Sequence, residues 1–288
     1  MEIRSLIGIT SGEILETFNR AFSDYFVPLQ LSLDQLESKM KADKTNLDLS
    51  VGAFAQGKLV AFMLHGFDTI DGRNLVYNGG TGVIPEQRGN GLSRKMYQFV
   101  LPLLEGRGID SVQLEVISNN VQAIKSYKRS GFKTNRVLAC YKGDLQVESH
   151  DPKIWIEQLE TYDWPILASF WDIRPSWQNS KNTLEVLQPI NCSLGAYLDD
   201  ELVGYAVYNP QSNRLQQIGV HKKHRRQGVG TALLSHLGAA YGTALTVINI
   251  DDSGTHVQRF FEAMGLKPYL EQLEMELKLD GNPVKQTS

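Results

Sequence analysis

The sequence predicts two α/β domains in tandem, each with helices packed on a sheet. The chain has 288 residues, room for two domains of ordinary size. Apolar strand-like runs alternate with amphipathic helical segments. One unusual stretch is present twice. Val83-Ile84-Pro85-Glu86-Gln87-Arg88-Gly89-Asn90-Gly91-Leu92-Ser93 returns as Val220-His221-Lys222-Lys223-His224-Arg225-Arg226-Gln227-Gly228-Val229-Gly230. Arg225 lies 137 residues after Arg88, and Gly228 lies 137 after Gly91. Each copy is followed by a strand, a helix and a glycine pair, Gly131-Phe132 or Gly265-Leu266. A repeat in that order governs the reading of the fold.

In the first half, residues 13–22 place Ile14, Leu15, Phe18 and Phe22 on one helical face, and residues 33–41 form a second helix. Between them, residues 24–28 are aromatic and irregular, either a packed loop or a pocket wall. Residues 49–54 and 59–67 are strands joined over Gln56-Gly57-Lys58. After the turn Asp71-Gly72-Arg73, the strand 75–83 leads into the Gly-rich segment. The next helix puts Leu92, Met96, Phe99, Val100 and Leu103 inward, and Pro102 should kink or end it. Strand 111–116, helix 121–130 and strand 133–141 complete the first domain, 1–146.

Residues 146–152 are polar and end in proline, which places the domain boundary there. In the second domain, 152–280, strands 194–197 and 202–208 form a hairpin over Asp199-Asp200-Glu201. Strand 214–220 feeds the second Gly-rich segment. A helix follows with Val229, Leu233, Leu234, Leu237 and Tyr241 inward. Then come strand 245–250, helix 255–264 and a half-exposed strand 273–279. Residues 164–179, rich in tryptophan, form either a cleft wall between the repeats or a packed cap.

A glycine-rich link between strand and helix suits a phosphate. The first helical N–H groups have no partners within the helix, and the helix dipole is positive there. Gly89 and Gly91 let a diphosphate approach the backbone, and Arg88 adds a positive charge.

These segments resemble the Gln/Arg-x-x-Gly-x-Gly/Ala signature of the GCN5-related N-acetyltransferases. Asn120, Ala123, Tyr127 and Gly131-Phe132 are similar to the same family's second half. The resemblance covers nearly the whole chain as two tandem domains. It implies a mixed, mainly antiparallel sheet in each, with acetyl-CoA as co-substrate. The cofactor-binding positions it implies are Val83, Arg88, Gly89, Asn90, Gly91, Leu92, Ser93, Arg94 and Asn120 in the first repeat. In the second they are Val220, Arg225, Arg226, Gln227, Gly228, Val229, Gly230 and Thr231. Ser93 departs from the usual Gly or Ala and implies weaker binding. Asn120 matches an asparagine that contacts the pantetheine arm.

Acetyl transfer from a thioester to an amine needs a base for the ammonium and a donor for the thiolate. Tyr127 stands where many members carry the acid. Glu115, twelve residues earlier, completes a pair resembling that of the ribosomal-protein alanine N-acetyltransferases. Aligning Gly265 with Gly131 puts Phe261 at the tyrosine, Asn249 at the glutamate and Gly254 at the asparagine. Phenylalanine has no proton to give, so the first repeat is expected to be catalytic. Two alternatives stay open: chemistry in the second repeat, as in tandem mycothiol synthases, or an acyl-CoA sensor without turnover.

Composition sets the remaining expectations. A net charge of −3 gives no basic field for nucleic acid. Cys140 and Cys192 lie in different repeats, which fits a reducing cytosol rather than a disulfide framework. Neither a signal peptide nor a membrane-spanning stretch is expected, and the six histidines lack metal-ligand spacing. Neither loop ends in the Gly-Lys-Ser/Thr of an ATP cradle. The expected partner is a small-molecule or peptide amine, met in the cytoplasm.

Overall fold

The computed structural model describes residues 1–24, 29–146 and 153–279. The loop residues 25–28 and the expected boundary at 147–152 therefore lie outside the described residues. The chain divides into two compact units: Met1–Asn135 with Leu273–Ser288, and Arg136–Gln272.

In chain order the first unit contains β1 (Glu2–Ser5), α1 (Ser11–Ala21), α2 (Leu33–Ala42), β2 (Val51–Ala55), β3 (Lys58–Ile70), β4 (Arg73–Val83), α3 (Leu92–Gly106), β5 (Ser111–Ile117) and α4 (Val121–Arg129). β1 to β4 pair antiparallel in sequence, and β4 pairs β5 parallel. The two hairpins turn on consecutive left-handed pairs, Gln56-Gly57 and Asp71-Gly72. That geometry matches the twist of the flanking strands. Capping boxes at Thr10–Glu13 and Ser32–Gln35 start α1 and α2.

The second unit begins within β6 (Lys133–Asp144). It continues with β7 (Trp155–Gln158), α5 (Trp164–Ser169), α6 (Lys181–Leu187), β8 (Cys192–Leu198), β9 (Glu201–Asn209), β10 (Arg214–Val220), α7 (Val229–Tyr241), β11 (Ala244–Asp251), α8 (Thr255–Ala263) and the first half of β12 (Lys267–Lys278). β7 to β10 pair antiparallel, β10 pairs β11 parallel, and β11 pairs β6 antiparallel. Each unit is thus the mixed, mainly antiparallel sheet with helices that the family resemblance implied.

The units do not follow the linear halves of the chain. From Arg136 onward β6 belongs to the second unit, where Tyr141 and Leu145 join its core. The end of β12 belongs to the first unit. Met275 is wholly buried in that core, Glu276 pairs with Arg73 at 3.1 Å, and Leu279 N–H donates to Asp110 O. An apolar alternation marks a strand and its buried face, but not which sheet receives it.

Two helix expectations are corrected, and a third is narrowed. Phe99 and Leu103 are 37% and 45% exposed; the inward stripe of α3 is Leu92, Met96, Tyr97, Val100 and Leu104. On α7, Tyr241 is 45% exposed, while Val229, Leu233, Leu234 and Leu237 are buried. Pro102 does not end α3, which runs on to Gly106. Gln98 and Pro102 both lie on the exposed face, where water can satisfy the carbonyl that proline leaves unpaired. No helix among the described residues is long and apolar enough to cross a membrane.

Candidate active site

The first cradle grows out of β4. A short 3-10 turn, Pro85–Gln87, follows the strand, and Gly91 then starts α3. Gly89 and Gly91 have φ of +81° and +67°, a region that side chains with a Cβ adopt at a cost. A Cβ on either would meet nothing within 4 Å, so the backbone there faces open space. Side chains cap α1, α2, α4, α5 and α6. No side chain caps α3, α7 or α8, and α3 and α7 are the two that follow the Gly-rich segments. The first N–H groups of α3 and α7 suit an anion.

Arg88 is bonded within the protein. Its Nε donates to Val83 O at 3.2 Å, and Nη2 to Ala21 O at 3.0 Å. Both Nη atoms reach the Asp24 carboxylate at 2.7 Å. This ties the cradle to the end of α1, and the Arg88 guanidinium holds the Asp24 carboxyl below its usual range. Arg225 repeats the pattern: Nε to Val220 O at 3.1 Å, Nη2 to Phe170 O at 3.0 Å, and Nη1 to Asp172 at 2.6 Å. The spacings 24-to-88 and 172-to-225 differ, so no periodicity could have shown the carboxylates.

The other expected cradle residues fall into two groups. Leu92 and Val229 point into the cores, 2% exposed each, leaving only their backbones at the cradle. Asn90 Nδ2 donates to Gln87 O and Gln227 Nε2 to Lys223 O, both local loop bonds. Arg94 and Arg226 are exposed, and Arg226 adopts a left-handed φ of +63°. Ser93 and Thr231 are half-buried on the first helical turns.

Beyond the cradle the parallel strands part. β4 and β5 pair at Leu75↔Ser111, Val76↔Val112 and Tyr77↔Gln113, then stop. Glu115 lies two residues past the split, half-buried, and accepts a hydrogen bond from the hydroxyl of buried Tyr77. Tyr127 is half-buried on the last turn of α4, edge-on to Tyr97 at 6.3 Å and to Phe132 at 5.7 Å. Tyr97 is wholly buried and its hydroxyl accepts from Asn78 Nδ2 at 2.7 Å. Burial, and secondly the neighbouring Tyr127, push the Tyr97 hydroxyl well above its usual range. Asn120 caps α4, its Oδ1 accepting from Ala123 N–H at 3.1 Å.

In the second unit β10 and β11 pair only at Arg214↔Thr246 and Leu215↔Val247 before they part. Phe261 is fully buried in the core, 5.9 Å from Tyr141. A Cβ on Gly230 would lie 2.9 Å from the Phe260 ring, which would have to shift to admit one. A cavity of about 700 Å³ opens beside the second cradle, reached by Arg225, Gly228 and Gly230. Phe170, Trp171 and Ile173 line it too, so part of the tryptophan-rich segment walls the second unit's own cavity. Among the described residues no group of three or more His, Cys, Asp or Glu is placed to hold a metal.

Residues 13–132 and 156–266 each match the acetyltransferase (GNAT) family, and the chain belongs to that family. It is a two-domain GNAT protein. No curated protein matches the sequence. Among solved structures it is similar to a tandem GNAT protein from the clavulanic acid biosynthesis pathway. That match has TM-score 0.73 and 15% identity, over 97% of this chain and 99% of that one. A GCN5-related N-acetyltransferase from Sphaerobacter thermophilus matches with TM-score 0.72 and 15% identity, over 96% and 95%. A putative acetyltransferase from Pyrococcus horikoshii matches with TM-score 0.71 and 13% identity, over 97% and 89%. At these identities the likeness speaks for the fold.

Proposed function

We propose that the protein is an acetyl-CoA-dependent N-acetyltransferase and that its first repeat carries the chemistry. One observation carries this reading: a carboxylate, Glu115, lies just past the split of β4 and β5, held by the Tyr77 hydroxyl. The matched place in the second repeat holds an amide, Asn249, and Phe261 there is sealed in the core.

In this mechanism the CoA diphosphate lies against the uncapped backbone from Arg88 to Arg94, with Arg88 holding the loop rather than the phosphate. The amine attacks the thioester carbon, so a C–N bond forms and the C–S bond breaks. Glu115 takes the ammonium proton, directly or through one water, and the Tyr127 hydroxyl gives its proton to the departing thiolate. Backbone donors polarise the carbonyl. The cradle from Val220 to Thr231 is a second site for CoA phosphates. The acceptor is a small-molecule or peptide amine.

The cavity beside the second cradle favours a second reading, in which the second repeat turns over with other groups. Free CoA released from acetyl-CoA with a panel of amines tests both. Turnover lost in Tyr127→Phe supports the first repeat; turnover kept there and lost on blocking the second cradle supports the other. Binding with no turnover on any amine leaves an acyl-CoA sensor.

A further inference from the structure

Both repeats carry a bulge at the strand split, but only the first clamps it with hydrogen bonds. In the first unit the β3–β4 register passes from Leu64↔Gly80 to His65↔Asn78, which leaves Gly79 as an extra residue on β4. In the second the β9–β10 register passes from Leu215 to Gln217, which leaves Gln216. Gln216 lies 137 residues after Gly79, the same offset as the cradles. A bulge bends its strand and re-aims side chains. The first bulge begins just past Tyr77↔Gln113, the end of the pairing between β4 and β5. Asn78 stands there, 5% exposed, with its donors and its acceptor engaged. Its Oδ1 accepts from Gly80 N–H at 3.1 Å, across the bulge. Its Nδ2 donates to the Tyr97 hydroxyl at 2.7 Å and to Thr81 Oγ1 at 2.8 Å. The Tyr97 ring, on the cradle helix α3, meets Tyr127 edge-on at 6.3 Å and Phe132 at 5.3 Å.

The second repeat shows what the scaffold alone needs. The same offset puts Leu215 at Asn78, Ile218 at Thr81 and Leu234 at Tyr97. Leu215 and Leu234 are buried in the second core. Apolar side chains therefore fill these places without a hydrogen bond, and they avoid the desolvation cost of a buried polar pair. We propose that Asn78 and Tyr97 are positioning residues for acetyl transfer in the first repeat. Asn78 fixes the course of β4 as it leaves β5, and Tyr97 seats the ring of Tyr127. Neither side chain touches the reacting atoms. This role rests on the first repeat being the catalytic one.

The test compares Tyr97→Phe, Asn78→Leu and the two combined, each in the full chain. Tyr97→Phe removes one oxygen and leaves the Asn78 amide short of a partner. Asn78→Leu does the same to the Tyr97 hydroxyl. The combined variant removes both groups, so its stability in denaturant should recover toward wild type. Turnover is read as CoA released from acetyl-CoA with glucosamine, spermidine or an alanine-initiated peptide, whichever the wild-type chain acetylates fastest. In each variant kcat should fall about tenfold to 10²-fold with little change in KM, and it should stay low in the stable combined variant. Recovery of kcat together with stability, or full kcat in folded Tyr97→Phe, would mark a purely structural network and overturns the proposal. In a Tyr127→Phe background, Tyr97→Phe should cost little more, because it acts through that ring. A full further loss there also overturns the proposal. Failure of the catalytic reading is seen separately: full turnover in Tyr127→Phe, or no amine acetylated by the wild-type chain, removes that reading and this role with it.

Discussion

The two repeats share a scaffold and differ at the positions where chemistry is expected. Arg88 and Arg225 each bond the carbonyl of the valine five residues back, a carbonyl near the end of a preceding helix, and an aspartate. Left-handed glycines, Gly91 and Gly228, start the uncapped helices α3 and α7. Past the strand splits the likeness ends. Glu115 faces a tyrosine hydroxyl, whereas Asn249 is buried with an unmet amide N–H. Tyr127 is half-buried; Phe261 is sealed. The third signature position differs. Gly230 packs closely against the Phe260 ring, and alignment puts Ser126 at the place of Phe260 in the first repeat. A scaffold can therefore persist through hydrogen bonds to backbone while the catalytic positions drift.

The strongest test of the contrast is kinetic. Tyr127→Phe should lower kcat by about 10²–10⁴ with a modest change in KM, the size expected of a positioned acid. Glu115→Gln should depress the rate most near neutral pH and flatten the acidic limb of the profile. Full turnover in Tyr127→Phe would remove the first repeat from the mechanism.

Phe261→Ala should instead act on stability. Removing a fully buried ring costs about 3–5 kcal/mol, read as a lower midpoint in denaturant. A fall in rate without loss of stability would break the comparison.

Acid should weaken the first unit through His65. Burial holds its ring down at about 4 from an ordinary 6.5, while Nδ1 meets Leu49 O at 2.8 Å. Between pH 6.5 and 4 the unfolded chain binds a proton that the folded chain refuses. Stability therefore falls as pH drops through that window, by up to about 3 kcal/mol, and the loss ends below it. His65→Gln should flatten this slope in pH-dependent melts.

Gly91→Val tests the cradle itself. Its side chain enters open space but needs φ +67°, so stability should drop by about 1–2 kcal/mol. CoA affinity, measured by calorimetry, should fall further, because the branched chain stands where the diphosphate approaches. Unchanged affinity would move the primary site to the second cradle.

Much of this was legible in the sequence for local reasons. The 137-residue repeat, the hairpin turns, the Gly-rich turns and the strand–cradle–helix order all follow from neighbours in the chain. So did the contrast of Glu115 and Tyr127 with Asn249 and Phe261. Less local features were misjudged. Phe99, Leu103 and Tyr241 are apolar and helical, yet exposed, because the width of a buried face depends on what packs against it.

The sequence by itself determined the family, the doubling of the domain and the strand–glycine–helix junctions, since glycine spacing and helix starts are short-range properties. Only the tertiary structure decided that β6 and β12 divide between the units, that Arg88 and Arg225 are spent on Asp24 and Asp172, and that Tyr77 holds Glu115. It alone brought Asn78 and Tyr97 together. Each of these joins groups from separate stretches of chain, and residue spacing carries no information about which distant partner satisfies a buried charge or an open strand edge.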